Sequence, residues 1–519
     1  MPSIPILGVP STFRVPGEFA EILFAQGPAT AAAAAREVIF VAPKLAASGS
    51  WTASTIYRVR NEQEAITGAG SGSPLHRAIR RFLLANKRAK VWALPYLPSS
   101  GAGSVAAAGT VTYVGAPSGT GVTTVTVCGE QVSYGFTTAD TITSIAAGIA
   151  AGINARTWLP VTATPVAGVV TITAKVLGAS QGDGTTGVIR CRAVIDSGIT
   201  TTVATSGAAL GLGAGTAGVD GATTETANLT TALAVMEAAR YYYVVATVWA
   251  AAQLTVLQTH VSGKSEPLPG LRSVCITGNT GALAAAQALA VARNYERLKI
   301  AWQPNSEHDT AELAGNLAAI IQKYEEVDAA WNFDGYRAGG DWHIHGAFDQ
   351  ADWPDSTDLN DAITDGLTPI GSDGSGSYVV MMITTRSKDA TGAVDDFRAC
   401  ESHRISVMDL FTDTLLLRHR VQYGGKKLKG DELLADGSVN TNQKLYRNVV
   451  TPRSYAPFVK KLFAEFEAQG LIQDLASSID GLQVVRDPNN TGRIEVGGDV
   501  RTIDLLHQTT FRLAEVSPG

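Results

Sequence analysis

Charged side chains are scarce in this sequence. Only 17% of its 519 residues are Asp, Glu, Lys or Arg, whereas soluble domains carry roughly 25%. The formal net charge is -6, so the dense positive charge that a nucleic-acid-binding surface requires is missing. We therefore expect no nucleic acid partner, and we expect much of the surface to contact other protein.

Long apolar runs and metal-binding cysteine patterns are also missing. No stretch of 18 apolar residues occurs, and residues 1–10 lack the features of a secretory signal, which predicts a protein made and kept in the cytoplasm without membrane insertion. The four cysteines, Cys128, Cys191, Cys275 and Cys400, show no CxxC spacing. Buried free thiols are expected instead of a zinc site or a disulfide framework, although oxidation within or between subunits outside the cell stays open.

The composition changes sharply between residues 101 and 221. This part is rich in Gly, Thr, Val and Ala, and strand patterns occur at 109–114, 122–127 and 169–176. Thr141 begins a short helical pattern that runs through Ile153. Residues 101–221 are therefore predicted to form a small β-rich α+β domain inserted into a larger domain made of 29–100 and 222–480.

Helix and strand patterns alternate on both sides of the insertion. Ser73 and Pro74 predict a helix start, with Leu75, Ile79, Phe82 and Leu83 on an apolar stripe opposite Arg77, Arg80 and Arg81. Strands are expected at 91–94, 243–248, 273–277, 298–302 and 378–384, and helices at 225–240, 251–261, 282–295, 310–324, 395–417 and 455–469. Such alternation predicts a mostly parallel sheet covered by helices on both faces.

Both ends of the chain are predicted to be extended. Residues 14–24 contain Pro16 and are followed by Pro28, and both prolines disfavour a helix. These residues lie in a predicted arm at 1–28. Turn signals separate short strand patterns at 482–486, 493–496, 500–505 and 510–514, within a second arm at 481–519. The fold class expected is thus mixed α/β and α+β, with several domains and extended strand arms.

Motifs for enzyme chemistry are weak. The loop at 278–283 lacks the GxGxxG spacing, and Gly263-Lys264-Ser265 lacks the upstream glycine of a P-loop and is expected in an exposed loop. His343 and His345 would share a strand face but lack further ligands. We expect no enzyme activity, no cofactor and no metal. An α/β enzyme with an unrecognised site and a secreted adhesin remain as alternatives of other classes.

Four features in this order resemble contractile tail sheath proteins, in particular those of Mu-like phages. They are residues 15–21 (VPGEFAE), the helix–strand unit at 72–95, the Gly/Thr-rich insertion and the C-terminal strands. The resemblance covers nearly the whole chain and implies a structural subunit of the virion tail, assembled in the host cytoplasm. The sheath of a phage-tail-like bacteriocin or of a type VI secretion system is the alternative within this class.

The resemblance implies a helical homo-oligomer around a tail tube, with baseplate and tail terminator proteins as further partners. Contraction would drive the tube through the host envelope, with no bound fuel. Strand exchange between subunits would involve Arg14, Val15, Phe19, Ile22 and Phe24 in one arm and Ile494, Val496, Ile503, Leu505, Phe511 and Leu513 in the other. Lys460 and Lys461 are candidates for tube contact, and the insertion would project outward.

Overall fold

The computed structural model describes residues 36–181, 189–195, 202–206, 216–335, 353–373, 376–388, 400–436, 438–440, 443–444, 446–507 and 509. The first elements are β1 (Val38–Pro43), β2 (Tyr57–Val59), α1 (Glu62–Ala69), α2 (Pro74–Ala85) and β3 (Val91–Tyr96). As predicted, Ser73 is the N-cap of α2 and accepts a hydrogen bond from the backbone of His76.

The insertion follows β3. Its elements are β4 (Ala106–Val114), β5 (Gly121–Val127), β6 (Glu130–Phe136), α3 (Ile142–Ala155), β7 (Val161–Val166), β8 (Val169–Leu177), β9 (Cys191–Ile195) and β10 (Thr202–Ser206). A four-stranded sheet (β10-β4-β8-β7) and a three-stranded sheet (β6-β5-β9) share one apolar core with α3. This part of the chain therefore contains both strands and a helix, and its role as an inserted domain with the bounds 101–221 stays a prediction.

Helices and strands then alternate as predicted. The elements are α4 (Glu225–Ala234), β11 (Tyr243–Ala246), α5 (Ala251–Ser265), β12 (Val274–Asn279), α6 (Leu283–Arg293), β13 (Leu298–Trp302), α7 (Thr310–Glu325), α8 (Ser356–Thr364), β14 (Thr368–Asp373) and β15 (Gly376–Val379). They complete an eight-stranded sheet in the order β15-β14-β13-β12-β11-β1-β3-β2. Its six central strands are parallel, and only the edge strands β2 and β15 run antiparallel.

Both faces of this sheet are buried, which explains why its strands are continuous apolar runs. One apolar cluster joins the sheet to α2 and α7, and a second joins it to α4, α5 and α6. Gly315 of α7 lies so close to α2 that a Cβ there would come within 2.3 Å of the carbonyl oxygen of Ala78. The two helices therefore pack backbone against backbone at this point.

The last part of the chain packs around two long helices. Its elements are α9 (Ser402–Tyr423), β16 (Lys427–Leu428), β17 (Val449–Val450), α10 (Pro452–Ala468), β18 (Ile472–Gln473), α11 (Leu475–Asp480), β19 (Gln483–Arg486), β20 (Ile494–Gly497) and β21 (Arg501–Thr502). They enclose an apolar cluster of their own, which includes Phe411, Phe463 and Phe466. Within the described part of the chain, no helix has both the length and the apolar character needed to cross a membrane.

Several predicted boundaries differ from the structure. The helix expected at 225–240 ends at Ala234, the strand expected at 378–384 is Gly376–Val379, and the strand expected at 500–505 is reduced to Arg501–Thr502. The helix expected to end at 417 continues to Tyr423. Helix ends depend on local capping and on tertiary contacts more than on apolar periodicity, so these errors fall at element ends.

The polar face predicted for α2 is present but mostly buried. Arg77 and Arg81 are buried and not exposed to solvent, because the acidic side chains of α7 pack against this face. Arg80, whose side chain is 19% exposed, pairs with Glu62 at 3.3 Å. A helix with charged residues opposite its apolar stripe can therefore be buried on both sides when a partner supplies the opposite charge.

Candidate assembly surfaces

The carboxyl edge of a parallel sheet is where α/β enzymes usually bind their ligands. Here Arg190 of the insertion donates hydrogen bonds to the carbonyl oxygen of Thr280 at 3.4 Å and to Oδ1 of Asn305 at 3.1 Å. Trp302 Nε1 donates to the carbonyl oxygen of Gly281 at 3.0 Å. The loop at 278–283, which connects β12 to α6, is therefore held by hydrogen bonds to neighbouring residues, as in an ordinary strand-to-helix turn.

A buried group of charges joins α2 to α7 at this edge. Arg77 pairs with Asp309, the N-cap of α7, and its second terminal nitrogen lies 3.0 Å from Glu312. Arg81 Nε also lies 3.0 Å from Glu312. Burial alone would raise the pKa of Glu312, but the two guanidinium groups outweigh it and hold that pKa well below its usual range. Glu312 is therefore a charged partner of both arginines.

The insertion rests directly on this group. His308 lies 2.6 Å from Glu312, and a Cβ at Gly129, in the turn between β5 and β6, would approach the His308 ring within 2.4 Å. Gly129 also has a positive φ of 78°, which an ordinary side chain would strain. The buried charges therefore lie at the contact between the insertion and the larger domain.

A second buried group of charges lies at the amino edge of the sheet. Arg297 donates two hydrogen bonds to Asp409 of α9, at 2.6 and 2.9 Å, and Tyr242 donates a third at 3.0 Å. Arg272 Nη2 lies 2.7 Å from Asp413, one turn further along α9. These contacts fix α9 to the start of the strands.

The same edge also binds the end of α7. Glu325 is paired with Arg36 at 3.0 Å and with Lys299 at 3.3 Å, and it accepts hydrogen bonds from Tyr243 and Ser406. Burial alone would raise the pKa of Glu325, but the two cations and these donors lower it. The sheet, α7 and α9 are thus held together by ionised groups that are almost inaccessible to solvent.

Sequence reasoning missed both groups of charges. A partial signal was present: Arg77 and Arg81 are spaced i,i+4 on one helix, and Asp309 and Glu312 are spaced i,i+3 on another. Complementary charge spacing on two helices indicates pairing only if the helices are known to be adjacent. That adjacency follows from the sheet topology and not from either segment alone.

The expectation of an exposed loop at Gly263-Lys264-Ser265 is wrong. These residues form the last turn of α5, and Lys264 is buried, with its ammonium group donating to the carbonyl oxygens of Met236 and Ala239. The ammonium group caps the turns that follow α4. Lys264 therefore stabilises the connection between α4 and β11.

The C-terminal strands pair within their own chain as far as the structure describes them. β19 and β20 form a hairpin, and β21 pairs with β18. Ile494, Val496 and Ile503 pack against the apolar cluster of α9 and α10, and Leu505 is partly exposed. Each strand of the hairpin has one edge without a partner in the described chain, so exchange between subunits by these residues stays a prediction.

Lys460 and Lys461 lie on the exposed side of α10. The opposite side buries Phe458, Leu462 and Phe466. Lys461 Nζ approaches Glu465 at 3.7 Å, a surface pair that adds little stability. Both ammonium groups are thus open to another molecule.

All four cysteines are buried, and none of them forms a disulfide bond with another described cysteine. Burial raises the pKa of both Cys128 and Cys275 to about 12, so the reactive thiolate is disfavoured. Cross-linking between subunits through Cys128, Cys191, Cys275 or Cys400 remains a prediction that would require these thiols to become exposed.

Some predicted residues lie outside the described part of the chain. They are Arg14, Val15, Phe19, Ile22 and Phe24 in the N-terminal arm, Phe511 and Leu513 in the C-terminal arm, and His343 and His345. Among the residues that are described, no cluster of three or more His, Cys, Asp or Glu side chains is arranged to hold a metal ion.

Comparison with known proteins agrees with the resemblance found in the sequence. No family model matches the chain. The tail sheath protein of the Mu-like prophage FluMu of Haemophilus influenzae is 24% identical over 508 residues, which cover 95% of this chain and 96% of the relative. The chain is a homologue of this Mu-like tail sheath protein. The match extends over nearly the full length of both chains.

Solved structures of sheath tail proteins have low overall similarity to this chain. The sheath tail protein of Listeria innocua is 14% identical, with a TM-score of 0.45 over 92% of this chain and 94% of its own. The sheath tail protein of Desulfitobacterium hafniense is 15% identical, with a TM-score of 0.43 over 96% of this chain and 100% of its own. Because both TM-scores are below 0.5, the relationship rests on the sequence relative alone.

Proposed function

We propose that this chain is the subunit of a contractile tail sheath. Many copies assemble as a helical polymer around a tail tube, and a change of subunit packing shortens the polymer and drives the tube through the host envelope. The observation that carries the proposal is the end-to-end similarity to a Mu-like prophage tail sheath protein. The subunit assembles in the host cytoplasm and becomes part of the virion tail.

The buried charges support a mechanical role. A subunit that transmits force must keep its parts in fixed relation, and buried ion pairs resist separation because opening them leaves uncompensated charge. Arg77 and Glu312 hold α2 to α7, and Arg297 and Asp409 hold the sheet to α9. The α/β domain and the C-terminal helices therefore move as one body, and motion between subunits occurs in the chain ends.

Strand exchange connects the copies in this proposal. The N-terminal arm, through Arg14, Val15, Phe19, Ile22 and Phe24, adds to strands of a neighbouring subunit. The open edges of the β19–β20 hairpin are proposed as the receiving strands, although other sheets of the described chain also have edge strands. Such connections persist while subunits move past each other, so the polymer shortens without dissociating.

Lys460 and Lys461 are proposed to face the tube. They are exposed on α10, and they require an acidic surface on the partner. Baseplate and tail terminator proteins are the other partners. Contraction in this scheme uses the free-energy difference between two packings of the same subunits, so the chain acts without enzyme activity or a bound cofactor.

Electron microscopy of the purified chain tests the proposal. Hollow, striated cylinders of uniform diameter are expected from the full-length protein at sufficient concentration, or after addition of its tail tube protein. Discrete monomers under all these conditions, together with turnover of a small-molecule substrate, would favour an α/β enzyme instead.

A further inference from the structure

The last described residues of the chain are held to their own subunit by polar contacts. Thr502 and Asp504 accept hydrogen bonds from Arg404 of α9 at 2.8 and 2.7 Å. The carbonyl oxygen of Ile503 accepts one from His403 Nε2 at 3.0 Å, and Gln473 donates to Asp504 at 2.9 Å. These contacts tie residues 502–504 to α9 and β18.

His507 lies between two carboxylates. His507 Nδ1 is hydrogen-bonded to Asp334, which lies in the loop after α7. His507 Nε2 lies 3.1 Å from Oε1 of Glu401, just before α9. A neutral imidazole has a single N–H, whereas the imidazolium can donate to both carboxylates at once. The geometry therefore fits a protonated ring, and Asn332 Nδ2 adds a bond to the carbonyl oxygen of Leu506 at 3.4 Å.

We propose that Asp334, Glu401 and His507 form a clamp that keeps residues 501–507 on their own subunit when copies of the chain assemble. The proposal rests on the sheath function proposed above. It assigns Ile494, Val496, Ile503 and Leu505 to the part of the chain that stays on its own subunit, whereas exchange by Phe511 and Leu513 stays a prediction.

The clamp also predicts a pH dependence. Burial opposes the charge on His507, but Asp334 and Glu401 outweigh it and raise the pKa of His507 above its usual value. Among the described residues, His403 also interacts electrostatically with His507, and His403 in turn interacts with the paired Arg404 and Asp504. Burial lowers the pKa of His403 to about 4, so that ring stays neutral near neutral pH. The stabilisation from His507 is full at pH values below about 6.5 and is lost as the pH rises through its raised pKa.

A cysteine pair tests the clamp directly. In the double variant Asp334→Cys with His507→Cys, the two thiols replace side chains that are in contact, and mild oxidation should form a disulfide within one chain, both in unassembled subunits and in polymers. Oxidised wild-type protein is the control for the four native cysteines. A ladder of cross-linked chains from polymers would overturn the proposal. Because the cysteines replace the clamp side chains themselves, the hydrogen-exchange measurement decides the matter if no disulfide forms.

Hydrogen exchange gives a second, independent measurement. The amides of residues 501–507 in unassembled wild-type protein should lose protection by about tenfold or more as the pH rises through the pKa of His507, after correction for intrinsic rates, because a charge-assisted hydrogen bond is lost. His507→Gln should show low protection at every pH. The control Arg501→Gln breaks an exposed pair with Asp474 and should keep the wild-type pH dependence. Equal pH profiles for His507→Gln and wild type would contradict the clamp.

These outcomes are separate from failure of the sheath proposal. If wild-type protein never polymerises, the sheath function fails, while the disulfide and the exchange profile of the single subunit still decide whether the clamp exists. If polymers form and the disulfide links different chains, the sheath function stands and the clamp is wrong.

Discussion

Arg297 and Asp409 form a bidentate ion pair, at 2.6 and 2.9 Å, although they are 112 positions apart in the sequence. Arg297 comes directly before β13, and Asp409 lies in α9, so the pair joins the central sheet to the C-terminal helices. Both side chains are almost fully buried. The pair and its neighbours make these two parts of the subunit one mechanical body.

Removing one charge from this pair is expected to be strongly destabilising. Asp409→Asn leaves the guanidinium of Arg297 buried without its anion, and breaking a buried pair in this way typically costs about 3–5 kcal/mol. The loss should appear as a lower free energy of unfolding in equilibrium urea denaturation. Asp474→Asn breaks the exposed pair with Arg501 and should change stability little. A similarly small change for Asp409→Asn would show that the ion pair between Arg297 and Asp409 contributes little to the stability of the subunit.

The contact between α2 and α7 should depend on the absence of a side chain at Gly315. Gly315→Ala places a methyl group against the backbone of Ala78, so the helices must separate at a cost of about 1–3 kcal/mol. Gly263→Ala is the matched control, because it also lies inside a helix but has open space around its Cβ position. That variant should be stabilised by up to about 1 kcal/mol. Thermal unfolding of both variants measures the contrast, and equal shifts would contradict the close packing.

Glu225 should make the stability depend on pH. Burial raises the pKa of this carboxyl to about 7, while hydrogen bonds from Ser180 and Tyr96 oppose the rise. Because the pKa is raised on folding, the stabilisation is present below the unfolded value of about 4.3 and is lost as the pH rises through about 7. Glu225→Gln removes this loss and should be more stable than wild type by about 1–3 kcal/mol at pH 8.

Urea unfolding at pH 5 and at pH 8 measures this effect as a difference between variant and wild type. Glu237→Gln is the control, since the Glu237 side chain is 72% exposed and should show nearly the same difference at both pH values. If Glu225→Gln gave the same difference at pH 5 and pH 8, the buried carboxyl would have an ordinary pKa.

The sequence predicted the elements of this fold better than their contacts. Apolar runs and caps located β13 at 298–302 and the start of α2 at Pro74 correctly, because these signals are local. The burial of Arg77 and Lys264 was missed, because it depends on segments brought together by the sheet topology. The pairing of β18 with β21 was missed for the same reason, since a two-residue strand has almost no pattern of its own.

Deletion of residues 1–24 tests the role of the N-terminal arm. The core of the described structure begins at β1, so the truncated chain should fold and stay soluble but should fail to form cylinders, because the strands that connect neighbours are missing. Circular dichroism and sedimentation velocity check folding and mass, and electron microscopy checks assembly. Normal cylinders from the truncated chain would show that this arm does not connect the subunits.

The most direct measurement is a high-resolution cryo-electron microscopy map of the assembled full-length chain. We predict a helical tube in which each subunit keeps the described α/β body and the clamp at His507. The segments before residue 29 and after His507 are expected to complete sheets of other copies. A map in which both ends of every chain pair only with their own subunit would contradict it.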